Sequence, residues 1–524
     1  MPNPSRARRA ALLLGVTAVS ATALVAGTLT TPAQASSPAA ATSVAASASA
    51  KAGAPVKKSR IVRAKSALTN AQIAMAGGTN AKGERVDATL ALRQLWQLKD
   101  ALSPADRAAA EKLAARPSKE STAETATLSI HYTASELTGY SLNDAINTLS
   151  YVADSYANSG YKRPLPDGNI GGNAKTDIYL DQLDGGLYGY CTTDQSRFKG
   201  KSRAVWAFCV IDADFAGFPP PRSPLENLQV TAAHEYYHAT QFAYDYYGDR
   251  WMLEATAAWA EDELYPSVND NLQYLASSPI TKPGRSIDKF ENGGVFQYGV
   301  WNFFRFLSEK YPAKTGVLPT IGLDLWKAQD SKKGPRKTKY SLQAINKVLK
   351  KTGKTSLAEQ FALYSAATRA PGQTFAEGAA LGYPSKPLGG AIALGPSKKK
   401  KSFSTRLDHL TSDTFQFVPS GTAGDASLKV QLRMGKKQTG SRAVAVVYNT
   451  SGVIVEVKSI KVNKRGVAKK KIQFGGGVVG AVEITLVNAS QRMRNCTIPQ
   501  KTVYSCGGRP VDQKVRAVVK AKAA

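Results

Sequence analysis

The period of the apolar residues changes several times along this chain, and each change marks an element. From Ala10 to about Ala26 they run almost unbroken, behind a basic start at Arg6, Arg8 and Arg9 and ahead of Ala33-Gln34-Ala35. That order is the pattern of an export signal over residues 1–35, with cleavage expected after Ala35. The run is too short and too rich in Ala, Ser and Thr for a membrane span, which needs about 20 apolar residues, and no later stretch reaches that length. Residues 36 to about 60 have no apolar period and are mostly Ala, Ser, Lys and Pro, so a flexible stretch is expected there. Helical spacing sets in between Thr89 and Ala115, with Leu90, Leu92, Leu95, Leu98 and Leu102, and Ser103-Pro104 starts a second helix with Ser103 as N-cap. The unit 36–125 reads equally as a prosegment that is removed or as a helical extension that stays attached.

A mixed block follows over 126–395. Strand-like alternation appears at Ser129 ("SIHYT"), at Asp177 to Leu183 ("DIYLDQL") and at Ala204 to Asp212 ("AVWAFCVID"), with a helix around Leu142 to Ser159. Helical spacing dominates from about Leu225 to Thr368 and includes Phe296 to Tyr311. A break is expected at Pro396-Ser397 and the run Lys398 to Lys401. After it the period becomes two, with strand candidates at Thr414, Leu428, Ala443, Val453, Lys471 and Ala481. The expected fold class is therefore α+β: a small mixed sheet with helices, followed by an all-β sandwich over 402–524.

Charge and cysteine content refine this picture. Residues 391–524 hold 25 Lys and Arg against 6 Asp and Glu, so this region carries +19 of the formal charge of +30. Such a field attracts polyanions, for example an anionic cell-wall polymer, and it also serves plain solubility. The four cysteines fall in two close pairs, Cys191 with Cys209 and Cys496 with Cys506. Neighbour pairing as disulfides suits an oxidising compartment, and a four-thiolate zinc site would need a C-x-x-C spacing that does not occur.

Histidine is scarce, with four in the chain, and two of them frame His234-Glu235-Tyr236-Tyr237-His238. An H-E-x-x-H match by chance in a chain of this composition has a probability on the order of one in a thousand. Residues i and i+4 stand one above the other on a helix, so both imidazoles can reach one cation, for which Zn2+ is expected. Glu235 then sits beside the ion without ligating it, placed to take a proton from a metal-bound water as general base. A catalytic zinc needs a third protein ligand and one open position. Glu254, in "WMLEATAAW" after a turn at Gly248-Asp249, is the best candidate. Glu261, two helical turns further on, is the alternative, or else the group that orients a ligating histidine. Tyr298 is the candidate oxyanion donor, although with 22 tyrosines in the chain simple packing accounts for it as well. Gln241 and Asp245 share the ligand face of the first helix, while His131 and His409 lie in or beside strand-like segments and read as structural. The strand at Ala204 to Asp212 is expected to border the cleft as an edge to which an extended peptide adds.

"HEYYH" followed by "WMLEATA" resembles the Glu-zincin metallopeptidases, in which H-E-x-x-H precedes a W-L-x-E-x-x-A helix carrying the third ligand. "VTAAHEYYHATQFAYD", the "YGVWNFF" helix and the basic β tail resemble a family of secreted bacterial metalloproteases over most of the chain. The resemblance implies a zincin-like catalytic domain, His234, His238 and Glu254 as ligands, and Glu235 as base. Fifteen residues separate His238 from Glu254, slightly fewer than in the best-known members, so the turn must be tight. The Gly-x-Met-Glu-Asn segment of the aminopeptidase branch does not occur, which points to an endopeptidase. The expectation is a secreted, monomeric zinc endopeptidase acting on protein or peptide substrates. The alternative is a non-catalytic protein that binds a polyanion or the cell wall through its basic C-terminal region.

Overall fold

A computed structural model describes residues 54–524 apart from 335–337 and 499, so the expected export signal and the stretch 36–53 lie outside the described residues. Helix starts here from Ala54, within the stretch expected to be flexible. Three helices open the described chain: α1 (Ala54–Met75), α2 (Ala88–Leu98) and α3 (Pro104–Leu113). α1 carries its buried seam as Ala64, Ala67, Leu68, Ala71 and Ala74, a helical spacing built mostly from alanine. Ser103 caps α3 as expected, its hydroxyl accepting from the Asp106 N–H at 3.2 Å.

Five strands form the first sheet: β1 (Ser121–Glu124), β2 (Leu128–Tyr132), β3 (Thr176–Asp181), β4 (Gly189–Thr192) and β5 (Phe208–Asp212), in the order β1-β2-β3-β5-β4. β2, β3 and β5 run parallel, and the two edges run antiparallel. The segment at Ala204 to Asp212 thus forms an interior strand. The edge position passes to β4, whose Gly-Tyr-Cys-Thr sequence offers little apolar alternation to recognise. Both faces of the sheet are buried. Ile178, Leu180 and Ile211 face α4 (Leu142–Asn158) and α5 (Pro224–Phe242), whereas Tyr179, Phe208 and Val210 pack against α1 and α2. The N-terminal helices are therefore one of the two layers over this sheet, and their removal would bare its second face.

Helices continue as α6 (Arg250–Leu264), α7 (Phe296–Gly299), α8 (Trp301–Lys310), α9 (Thr320–Gln329), α10 (Leu342–Thr352) and α11 (Leu357–Ala367). A β sandwich follows, formed by β6 (Gly390–Leu394), β7 (Lys400–Leu407), β8 (Thr411–Pro419), β9 (Ser427–Arg433), β10 (Ser441–Asn449), β11 (Ile454–Ser459), β12 (Val467–Gln473), β13 (Val479–Asn488) and β14 (Val515–Ala523). One sheet has the order β11-β10-β13-β8-β6 and the other β12-β9-β14-β7. The strands begin at Gly390, ahead of the expected break at 396–401, and the lysine run itself leads into β7. The protein is mixed α and β with a β-rich C-terminal region, and among the described residues no helix is long and apolar enough to cross a membrane.

The sandwich does not stand apart from the helices. In β10, Ala443, Ala445 and Val447 face the sandwich core while Val444, Val446 and Tyr448 join the core of the helical region. Arg369 reaches Glu483 with contacts of 2.8 to 3.1 Å. His409 Nε2 meets Asp288 Oδ1 at 2.7 Å, with both side chains fully buried. Burial would raise Asp288, yet His409 holds it low; burial would lower His409, yet Asp288 holds it high. The stabilisation from the depressed carboxyl is complete above its unfolded value of 3.8, and that from the raised imidazole is complete below 6.5. It is lost as pH falls through the lowered carboxyl value or rises through the raised imidazole value. His409→Ala strands the carboxylate, and an equilibrium denaturant melt at pH 5 to 6 should record a loss of roughly 3–5 kcal/mol.

Candidate metal centre

Local sequence sets α5 in place before any tertiary contact is considered. Ser223 caps it, with its hydroxyl accepting from the Glu226 N–H while the Glu226 carboxylate accepts from the Ser223 N–H, and Pro224 occupies the first turn. Ala232, Ala233 and Ala239 let the helix lie close to the sheet, so the H-E-Y-Y-H segment is buried throughout. The chain then turns through Gly248 and Asp249 into α6. Arg93 of α2 spans that turn, donating to the carbonyls of Tyr246 (2.9 Å) and Gly248 (2.7 Å). From the C-terminal region, the Cys506 N–H donates to both Asp249 oxygens (3.1 and 3.0 Å) and Ser505 Oγ donates to Oδ2 (2.8 Å). The turn between the two helices is thus clamped from both ends of the chain.

α5 and α6 bring His234, His238 and Glu254 together. The two Nε2 atoms lie 3.0 Å apart, Glu254 Oε2 is 3.3 Å from His234 Nε2, and Glu254 Oε1 is 3.5 Å from His238 Nε2. Ligands at zinc distances on tetrahedral corners would be about 3.3 Å apart. Glu254 is fully buried and its Oε1 has no hydrogen-bond partner, as expected of an atom reserved for another contact. Two neutral-capable imidazoles and a carboxylate are also the donor set zinc prefers, so these residues fit the ion.

The remaining imidazole nitrogens are held. His234 Nδ1 bonds to Glu261 Oε1, and His238 Nδ1 donates to Gln241 Oε1 at 2.8 Å. Gln241 is fixed in turn by donating to the Leu253 carbonyl and Thr256 Oγ1, each at 3.1 Å. Glu261 therefore stands on the far side of the His234 ring from Glu254 and orients that ring, while Nε2 of both rings faces Glu254. Asp245 does not reach the cluster; it pairs with Arg203, whose Nε donates to Oδ1 at 2.9 Å. His131 pairs with Asp177 at 2.8 Å and is no part of the cluster.

Burial dominates the electrostatics. It would raise Glu254, but the adjoining His238 and His234 hold its carboxyl well below the usual range. Burial pushes Glu235 up, only partly opposed by the two imidazoles. It lifts Glu261 to about 7 in spite of His234.

A cleft of about 590 Å³ opens onto the cluster, lined among others by His234, Glu235, Gly189, Asp87, Thr89 and Tyr298. Tyr298 stacks over His234 with ring centroids 5.9 Å apart, and its hydroxyl donates to Asp87 Oδ2 at 2.5 Å. Asp87 is the N-cap of α2, accepting from the Leu90 N–H at 2.7 Å, and burial pushes its carboxyl up to about 7. Thr89 Oγ1 donates to Glu235 Oε2 at 3.2 Å and accepts from the Cys191 N–H at 3.0 Å. Sequence reasoning missed Asp87 and Thr89. The N-cap signal before an apolar run marks a helix start, but nothing local says that the cap faces a cleft.

Beneath Glu235, the Cys191–Cys209 disulfide ties β4 to β5, and Cys496–Cys506 closes the loop that reaches Asp249, both in the expected pairing. Gly189 on β4 allows the close approach of α5. A Cβ there would lie 3.1 Å from Glu235 Cγ, 3.0 Å from Thr231 Cγ2 and 2.9 Å from the Val210 carbonyl oxygen. Gly189→Ala should therefore displace the Glu235 side chain; a crystal structure of the variant with Glu235 unmoved would refute this.

No known family model matches the chain, and no curated protein matches it. Partial likenesses exist among solved structures. The pre-peptidase C-terminal domain of the collagenase from Bacillus anthracis aligns at 10% identity over 27% of this chain and 100% of its own, with a TM-score of 0.15. PliG from Salmonella Typhimurium, a periplasmic lysozyme inhibitor of g-type lysozyme, aligns at 10% identity over 26% and 99%, with a TM-score of 0.15. CorA, a surface-associated copper-binding protein of Methylomicrobium album BG8, aligns at 9% identity over 26% and 98%, with a TM-score of 0.16. Likeness at this level assigns no function.

Proposed function

We propose that this chain is an exported zinc-dependent peptidase of the Glu-zincin type, with a zincin-like arrangement of sheet and metal helices. The observation that carries the reading is the convergence of His234, His238 and Glu254 at tetrahedral spacing, with Glu235 beside them in an open cleft. A zinc ion held by His234, His238 and Glu254 would supply Lewis acidity toward water and a substrate carbonyl. Glu235 accepts the proton from the attacking water and returns it to the leaving amine. Burial raises its pKa above the usual carboxylate value, opposed in part by the two imidazoles, which makes it a stronger base than an exposed glutamate. Tyr298 stays protonated, since burial and the neighbouring Asp87 raise its pKa well above the ordinary value, so its hydroxyl is available as a donor across the cleft. In the resting protein Asp87 occupies that donor, and substrate binding would exchange this bond for one to the substrate carbonyl. The free edge of β4 at Gly189 is where an extended peptide would pair, while Thr89 covers the next outward amide at Cys191.

The purified protein should digest casein, lose that activity to a chelator and regain it with one equivalent of zinc. Chelator-insensitive digestion, or none after zinc is restored, would contradict the proposal. The other reading, a polyanion binder, is favoured by a separate surface and does not compete for this cleft.

A further inference from the structure

The outer sheet of the sandwich, β12-β9-β14-β7, has one face in the core through Leu428, Val430, Leu432, Ile472, Val519 and Ala521. The helices cover the other sheet, so the second face of this one is open. Its register places Lys471 opposite Lys429, Lys429 opposite Lys522, and Lys522 opposite Lys400. Four lysines therefore stand in one row across four strands, all exposed. With strands about 4.8 Å apart, the row spans about 14 Å. Two residues along, Lys469 and Lys520 flank Gln431 in a parallel row, and beyond them Arg516 lies opposite Arg406. No acidic residue occupies a strand position on this face, and none of these lysines has a carboxylate partner within 4.0 Å among the described ion pairs.

Like charges directly opposite one another destabilise a sheet, so this arrangement costs the fold stability. A bound polyanion recovers that cost. We propose that this face is a docking surface for a linear polyol phosphate polymer, an extended chain with one phosphodiester charge per repeat laid across the lysine rows. Charge complementarity favours it. The rows are mainly lysine, compact point charges that meet a rotating phosphodiester without the planar pairing that arginine imposes. The face offers no aromatic side chain on which bases could stack, which disfavours single-stranded nucleic acid. Its apolar side chains, Val467 and Val518, are half-buried beside Arg433 and cannot insert into a bilayer. The surface would hold the protein on a phosphate-rich matrix while the metal cleft stays free.

The test measures binding of the full-length protein to immobilised poly(glycerol phosphate), single-stranded DNA, duplex DNA and anionic vesicles across a salt series. The variants are Lys400/Lys429/Lys471/Lys522→Gln, the smaller Lys429/Lys522→Gln, and a control of equal charge loss, Lys112/Lys347/Lys350/Lys351→Gln. The proposal expects poly(glycerol phosphate) to bind tightest. The fourfold row variant should lose about tenfold or more in affinity, its log–log salt slope becoming shallower by about 3, while the control changes little. The smaller variant should show an intermediate loss, which reads the same surface should the fourfold variant fold poorly. Tighter binding of either DNA or of vesicles would overturn the proposal, as would equal losses in row and control variants.

Discussion

Glu235→Gln is expected to lower peptidase turnover by about 100-fold to 10,000-fold while the protein keeps one zinc per chain. The substitution preserves the side-chain shape, so Thr89 Oγ1, now 3.2 Å from Oε2, retains a neighbour able to pair with it and α5 is undisturbed. Glu235 is no part of the ligand cluster, so metal content should not change. What disappears is a basic oxygen at the mouth of the cleft. Turnover of the variant within a few-fold of wild type would remove Glu235 from the chemistry and, with it, the zincin reading.

Glu254→Ala acts one step earlier, on the ion itself. The carboxylate is the only anionic member of the cluster and is fully enclosed, so its removal leaves two imidazoles 3.0 Å apart with no counter-charge between them. Zinc affinity should fall by more than about 100-fold, beyond the roughly 10–100-fold that losing an orienting partner costs. Glu261→Gln, which alters only the group at His234 Nδ1, supplies the comparison and should fall inside that smaller range. Competition with a chromophoric chelator measures both. If the Glu261 variant lost more zinc than the Glu254 variant, the roles given to the two carboxylates would be reversed.

The convergence of His234, His238 and Glu254 was legible because its signal is local. An i, i+4 pair on one helix and an acid on the next helix converge through spacing and a short turn. Glu261 stayed ambiguous in the sequence because two helical turns put it on the same face as Glu254, and only the positions of the rings separate ligand from orienter. Asp87 and Thr89 were invisible for the opposite reason. They come from a segment over a hundred residues earlier, brought to the cleft by packing of α2 against β4. That packing is carried by alanine and leucine seams which say nothing about their partner. The same limit explains the misplaced edge strand: apolar alternation marks a strand, not its neighbours. In the sandwich, β7 begins inside the lysine run expected as a break and turns Lys400, Ser402, Ser404 and Arg406 outward, while β14 sets Arg516, Lys520 and Lys522 against small inward Ala517, Ala521 and Ala523, so neither strand shows a strong apolar alternation. Their period of two is nonetheless what aligns the lysine rows.

Zinc K-edge X-ray absorption on the purified wild-type protein tests the central claim most directly. Two imidazoles and one carboxylate converging on one ion predict a nitrogen and oxygen shell near 2.0–2.1 Å with scattering from two imidazole rings and no sulfur at about 2.3 Å. A spectrum with a sulfur shell or a single imidazole, or a protein that takes up no zinc, would contradict it.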